Sequence, residues 1–174
     1  YTSASGDFYI ILNDELYALD LTTKVWKKLN IGSSPVEHIL FATSGDIYYS
    51  SGKKLYRSTD KGLNFYTLFT TSDNITNIVD GGANKKYYTT KTSSSKTELY
   101  SCKDDGTTRT QIHSTMPGNL LYYQLSSGVF LSIRENGFFR SLDGKSWTYI
   151  SIINSGTFDL MEIIFPKDNS ILCI

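Results

Sequence analysis

Apolar and polar positions alternate along this chain in short runs, and the runs recur. Residues 7–29, 46–68, 86–112 and 129–150 align as four copies of one pattern. Each opens with a short aromatic strand, passes a polar turn, and enters a second strand that ends in an Asp-containing turn. A third strand follows, opened by an aromatic residue in three of the copies. The apolar anchors of the second strand are Leu16-Tyr17, Leu55-Tyr56, Leu99-Tyr100 and Phe138-Phe139, spaced by 39, 44 and 39 residues. A further apolar strand precedes each later copy, at Val36–Thr43, Ile75–Val79 and Leu120–Leu125. The side-chain period is that of strands: Leu55 and Arg57 fall on one face, Tyr56 and Ser58 on the other.

Four short strands in about 40 residues are the pattern of a propeller blade. A four-stranded sheet with two apolar faces cannot bury both alone, and stacking against neighbouring blades covers them. The chain is therefore expected to be all-β, a β-propeller of four-stranded antiparallel blades. About four blades' worth of sequence is present, in units near 7–31, 36–70, 75–115 and 119–153, with a partial blade at 158–174. The expected strands total 17, where a closed four-bladed ring would use 16. The final Ile-Leu-Cys-Ile stretch stops in mid-strand, so the expectation is a piece of a larger propeller, chain or assembly.

Composition strengthens the all-β reading. There are 13 Tyr and 9 Phe but only four Ala, which favours pleated, half-buried surfaces over helices. Basic and acidic residues number 17 each, so no global charge draws the chain to nucleic acid or an anionic membrane. No apolar run approaches the roughly 18–20 residues of a membrane span, and no targeting segment is visible. Cys102 and Cys173 lie far apart without a CxxC spacing, and read as buried thiols.

Two turns carry a stricter pattern. Ser58-Thr-Asp60-Lys-Gly62-Leu-Asn-Phe65 reads S-x-D-x-G-x-x-F, and Ser141-Leu-Asp143-Gly144-Lys-Ser-Trp147 is one residue shorter. Cys102-Lys-Asp104-Asp-Gly106 is a degraded copy, and Asp20–Trp26 keeps the Asp and Trp without the Gly. Ser and Asp side chains accept from backbone N–H groups and close such turns, and Gly supplies a positive φ. The aromatic is expected to fold back over the hairpin.

These residues resemble the Asp-box, or BNR, repeats of sialidases, sortilin-type receptors and many non-enzymatic propellers, and Asp20–Trp26 is similar to the matching turn of kelch-type blades. The resemblance implies a propeller whose boxes lie at the blade periphery, away from the ligand-binding face. On that reading Ser58, Asp60, Gly62, Phe65, Ser141, Asp143, Gly144 and Trp147 hold the fold and do no chemistry.

Other chemistries have thin support. A sialidase-like site needs three arginines, a tyrosine paired with a glutamate, and an acid/base aspartate. The chain has only Arg57, Arg109, Arg134 and Arg140, and Arg57 and Arg140 occupy the same repeat phase. His38 and His113 are far apart, Asp104-Asp105-Gly106 lacks the alternation of a calcium loop, and no phosphate loop or nucleophile elbow occurs. No metal, cofactor or catalytic residue is therefore nominated. Asn74-Ile-Thr76 is a glycosylation sequon in an expected inter-blade loop, and Lys27-Lys28 and Lys85-Lys86 read as solvated faces. Thr89–Thr97 is a low-complexity insertion, read as an exposed hairpin loop that could also contact a partner or a sugar.

The sequence thus points to a non-catalytic interaction or structural module presenting loops to a protein or glycan partner, without nucleic acid or membrane insertion. An extracellular or virion-surface setting fits, since the Tyr/Asn/Ser/Lys-rich composition suits AT-rich genomes, including many phages. The alternative is a fragment of a glycan-processing hydrolase whose catalytic groups lie mostly elsewhere.

Overall fold

The computed structural model describes all residues except 2, 4, 5, 33, 34, 135, 136, 152–162, 165–171 and 174. Its described residues form strands and turns only, in consecutive antiparallel sheets. Sheet 1 comprises β1 (Tyr9–Leu12), β2 (Glu15–Asp20) and β3 (Val25–Lys28). Sheet 2 comprises β4 (His38–Phe41), β5 (Ile47–Ser51), β6 (Lys54–Ser58) and β7 (Tyr66–Thr70). Sheet 3 runs through β8 (Asn74–Asp80), β9 (Lys86–Lys91), β10 (Thr97–Cys102) and β11 (Thr110–His113). Sheet 4 runs through β12 (Leu120–Gln124), β13 (Val129–Arg134), β14 (Gly137–Ser141) and β15 (Thr148–Ser151). β16 (Ile163–Ile164) and β17 (Leu172–Cys173) pair with each other, and the rest of the strands expected over 158–174 lies outside the described residues.

Each sheet is a meander in sequence order, and the first strands of sheets 2, 3 and 4 lie side by side, with β8 between β4 and β12. Sheet 1 begins at the equivalent of β5. Tyr1 lies beside β1 and exchanges both backbone bonds with Tyr9 at 2.9 Å, the place Leu40 takes beside Tyr48.

Strand alternation distributes the aromatics between two neighbours. Tyr49 packs toward sheet 1 with Tyr9, Leu16, Leu29 and Ile47. The adjacent Tyr48 packs toward sheet 3 with Leu55, Ile78, Tyr88 and Cys102. In sheet 3, Tyr88 faces back to sheet 2, while Tyr87 faces sheet 4 with Leu99, Leu121 and Phe130. One Tyr-Tyr pair per strand thus fills two interfaces, as a period of two requires. The anchors follow the same rule: Leu16, Leu55 and Leu99 face the next sheet, and Tyr56 and Tyr100 face the previous one. Tyr56 stacks on Tyr49 at 4.5 Å, and Tyr100 on Tyr88 at 5.2 Å, both nearly parallel. The register shifts at Leu55/Tyr56 and again at Leu99/Tyr100, an equivalent bulge in sheets 2 and 3.

Three expectations change. Thr89–Thr97 is not one loop, because Thr89–Lys91 completes β9 and Thr97 opens β10, with Thr89, Thr90 and Thr97 buried. Only residues 92–96 turn, closed by Thr92 N–H to the Lys96 carbonyl at 3.0 Å. Threonine is β-branched and packs well in a strand, so a Ser/Thr-rich run was a poor loop signal. Asn74 begins β8 instead of sitting in a loop, and it is exposed. Lys86 is not solvated; its side chain is 1% exposed.

Candidate functional site

The S-x-D turns sit where β6 passes to β7 and β14 to β15. In the first, the Ser58 hydroxyl accepts from Gly62 N–H at 2.8 Å and donates to Asp60 at 2.7 Å. Asp60 accepts from Asn64 N–H at 2.9 Å and from the Asn64 amide at 2.7 Å. In the second, Ser141 accepts from Gly144 N–H at 2.8 Å, and Asp143 accepts from the N–H groups of Lys145 and Ser146, both at 2.8 Å. These bonds favour the carboxylates, so Asp60 and Asp143 are each lowered to about 2. Phe65 packs edge-on to Tyr49 at 5.0 Å, and the Trp147 indole N–H donates to the Gly144 carbonyl at 3.1 Å.

Gly62 and Gly144 do more than supply the positive φ that the sequence implied. A Cβ on Gly62 would stand 2.6 Å from Leu29 in the sheet 1 cluster, and one on Gly144 would stand 3.0 Å from Ile112 of sheet 3. Gly106 repeats this against Leu68 of sheet 2, at 2.7 Å. Each glycine therefore marks a close approach between one sheet's turn and the preceding sheet.

The degraded third turn is closed differently. Strand register places Cys102 in the column of Ser58 and Ser141, and Lys86 in the column of Ile47 and Phe130. Cys102 offers Asp104 no strong donor. Instead the Lys86 ammonium donates to Asp104 at 2.7 Å, pairs with Asp80 at 3.1 Å, and lies 5.4 Å from the centre of the Tyr48 ring. Asp105, one residue later, caps the turn by accepting from Thr107 N–H at 2.9 Å. Burial pushes the Cys102 thiol up to about 12, so it is inert as a nucleophile. In the first turn, Asp20 accepts from Thr22 and Thr23 N–H and pairs with Lys27, while Trp26 stays 39% exposed.

The remaining chemistry-bearing residues are dispersed. Arg57 pairs with Asp46 at 2.6 Å, whereas Arg140, in the same repeat phase, is exposed beside Leu131. Arg109 donates to the Thr70 carbonyl at 3.1 Å and lies 4.9 Å from the Phe69 ring centre. His38 lies in β4 and His113 ends β11. Among the described residues, no group of three His, Cys, Asp or Glu side chains could hold a metal.

Two tyrosine–glutamate pairs recur at one repeat position. Tyr17 donates to Glu15 at 2.8 Å, and Tyr100 to Glu98 at 2.6 Å. Burial, reinforced by Glu98, pushes the Tyr100 hydroxyl up to about 12, which holds it as a phenol and works against nucleophilic use.

Tyr100 also borders a feature that sequence reading missed. Between sheets 2 and 3 lies an open groove of about 640 Å³, walled by Thr70, Ser72, Thr90, Tyr100, Thr108 and Arg109. The stacked Tyr88 reaches its floor. No linear motif encodes this groove, because its walls come from two repeat units.

The chain matches no family model, and no curated protein matches it. Solved structures do resemble it. The extracellular domain of BT4673 from B. thetaiotaomicron superposes with a TM-score of 0.71 at 12% identity, over 96% of this chain and 25% of that one. A chain of the nidogen/laminin complex gives 0.70 at 14% identity, over 97% of this chain and 69% of that one. XC5397 of Xanthomonas campestris, a gluconolactonase, gives 0.71 at 12% identity, over 99% and 67%. The chain thus spans about a quarter of the BT4673 domain and about two thirds of the other two. The likeness, with the stacked antiparallel sheets, places the chain among β-propeller folds. Among the described residues no helix is long and apolar enough to cross a membrane.

Proposed function

We propose that this chain is a non-catalytic β-propeller binding module, of the Asp-box type and extracellular, whose groove between sheets 2 and 3 takes a neutral oligosaccharide. The carrying observation is the wall chemistry of that groove: threonine and serine hydroxyls, the half-buried Tyr100 ring and one arginine. Such a surface matches a polyhydroxylated ligand, which exchanges many hydrogen bonds and offers C–H faces to aromatic rings. The Ser58–Asp60 and Ser141–Asp143 turns support the Asp-box assignment, and the extracellular neighbour supports the setting.

The test is calorimetric titration with neutral oligosaccharides selected from a glycan array. Saturable binding is expected, with Tyr100→Phe and Thr108→Ala each weakening it about three- to tenfold. Thr108→Ala should hold the unfolding midpoint, while Tyr100→Phe, which also loses the bond to Glu98, should lower it slightly. Binding that neither variant changes would remove the groove from consideration. Recovery of a cleaved sugar after incubation would replace this reading with a hydrolase.

A further inference from the structure

At the opposite end of sheet 3 from its degraded turn lies a second hollow, of about 390 Å³. Its polar walls are Ser95, Lys96, Thr97, Thr115, Asn119 and Arg134. They come from the β9–β10 turn, the segment joining sheets 3 and 4, and the end of β13. From this composition we infer a second binding site, specific for an anionic saccharide whose charge is a sulfate ester or a uronate carboxylate.

Charge comes first. Lys27, Lys28, Arg57, Lys61 and Lys86 all pair with carboxylates. Among the described residues, Lys96 and Arg134 enter no ion pair, and no carboxylate stands among the side chains lining the hollow. Lys91, the cross-strand partner of Thr97, adds a third cation at the same sheet end. The chain is neutral as a whole, so this is a local positive field able to attract and hold an anion.

Donor geometry comes second. The Thr97 hydroxyl donates to the Asn119 amide oxygen at 3.4 Å, which leaves the amide N–H groups as what Asn119 can offer a ligand. Guanidinium, ammonium and amide donors around one hollow suit a sulfate or carboxylate oxygen set.

Pre-organisation comes third. The Lys96 N–H donates to Thr92 Oγ1 at 3.2 Å, holding the turn that carries Lys96. Met116 N–H donates to the Thr97 carbonyl at 2.7 Å, and Asn119 N–H to the Ile133 carbonyl at 2.9 Å, which fixes the joining segment to both sheets. The backbone of the walls is therefore set before a ligand arrives, while the exposed Lys96 and Arg134 side chains order on binding. This site also gives a role to the Lys-flanked polar run around residues 91–97.

Isothermal titration of the whole chain with a sulfated, uronate-containing disaccharide tests the inference, alongside its desulfated form, its uronate methyl ester and the neutral form lacking both charges. The charged probe is expected to bind, and to weaken as salt rises from about 50 to about 500 mM. Lys96→Gln and Arg134→Gln should each cost about tenfold in affinity, at an unchanged unfolding midpoint. Loss of affinity on desulfation makes the sulfate the recognised group, and loss on esterification makes it the carboxylate. Tyr100→Phe should leave this binding intact, so failure of the groove and failure of this site are separable. A neutral form that binds equally well, unchanged affinity in the Lys96→Gln/Arg134→Gln variant, or no binding of the charged probe would overturn the inference.

Discussion

At the scale of single residues, the turn glycines show two separable physical demands. Gly62 has φ +87°, and Gly45 in the β4–β5 turn has φ +90°, so both occupy backbone that side chains resist. They differ in surroundings: a Cβ on Gly45 meets nothing within 4 Å, while one on Gly62 meets Leu29 at 2.6 Å. Gly45→Ala should therefore cost about 1 kcal/mol from the backbone alone, and Gly62→Ala about 2–3 kcal/mol, since Leu29 must also move. Urea titration of both variants measures the gap, and equal losses would show that Leu29 yields freely. The positive φ was readable from the S-x-D-x-G pattern. The close approach was not, because Leu29 belongs to another repeat unit and no pattern within one unit encodes it.

At the scale of the element, the third turn is the informative one. Ser58 and Ser141 hold their aspartates through a hydroxyl, whereas Cys102 leaves that work to Lys86, buried where sheets 2 and 4 place Ile47 and Phe130. Removing one member of a buried ionic cluster strands its partners. Lys86→Ile should cost about 3–5 kcal/mol, because Asp80 and Asp104 lose their cation. Adding Cys102→Ser to that variant should return about 1–2 kcal/mol by rebuilding a hydroxyl–carboxylate bond like those of the other turns. A double-mutant cycle by chemical denaturation checks this, and simple additivity would show that the two columns are not coupled. The strands and repeat phase were legible because aromatic and Leu-Tyr anchors recur at fixed spacing. The buried lysine was misread because Lys85-Lys86 looks like a solvated pair until Lys86 is set in the column of Ile47 and Phe130. The groove beside Tyr100 was invisible for a related reason: periodicity reports which face a residue takes, but not how far two sheets part at their rims.

At the scale of the whole molecule, stability should be graded by how many sheets cover a strand. β5 and β9 carry side chains packed on both neighbours: Tyr48 and Tyr49 are fully buried, as are Tyr88 and Thr89 to within 2%. Outer strands have a free edge, and all four residues of β3 are exposed. Inter-sheet bonds reinforce the gradient, with the Tyr9 hydroxyl reaching the Lys61 carbonyl and the Tyr48 hydroxyl reaching the Asp104 carbonyl, each at 3.4 Å. Local opening follows the least-packed elements, so exchange of backbone amides should be slowest in β5 and β9 and faster by about a hundredfold or more in β3. Because Tyr48 joins sheets 2 and 3 through its ring and its hydroxyl, Tyr48→Phe should speed exchange in β9 as well as β5, while β13 of sheet 4 keeps its rate. Hydrogen exchange read by mass spectrometry at peptide resolution separates these regions. An equal increase in β5, β9 and β13 would mean that the sheets open together, and that the cooperative unit is the stack and not the neighbouring pair.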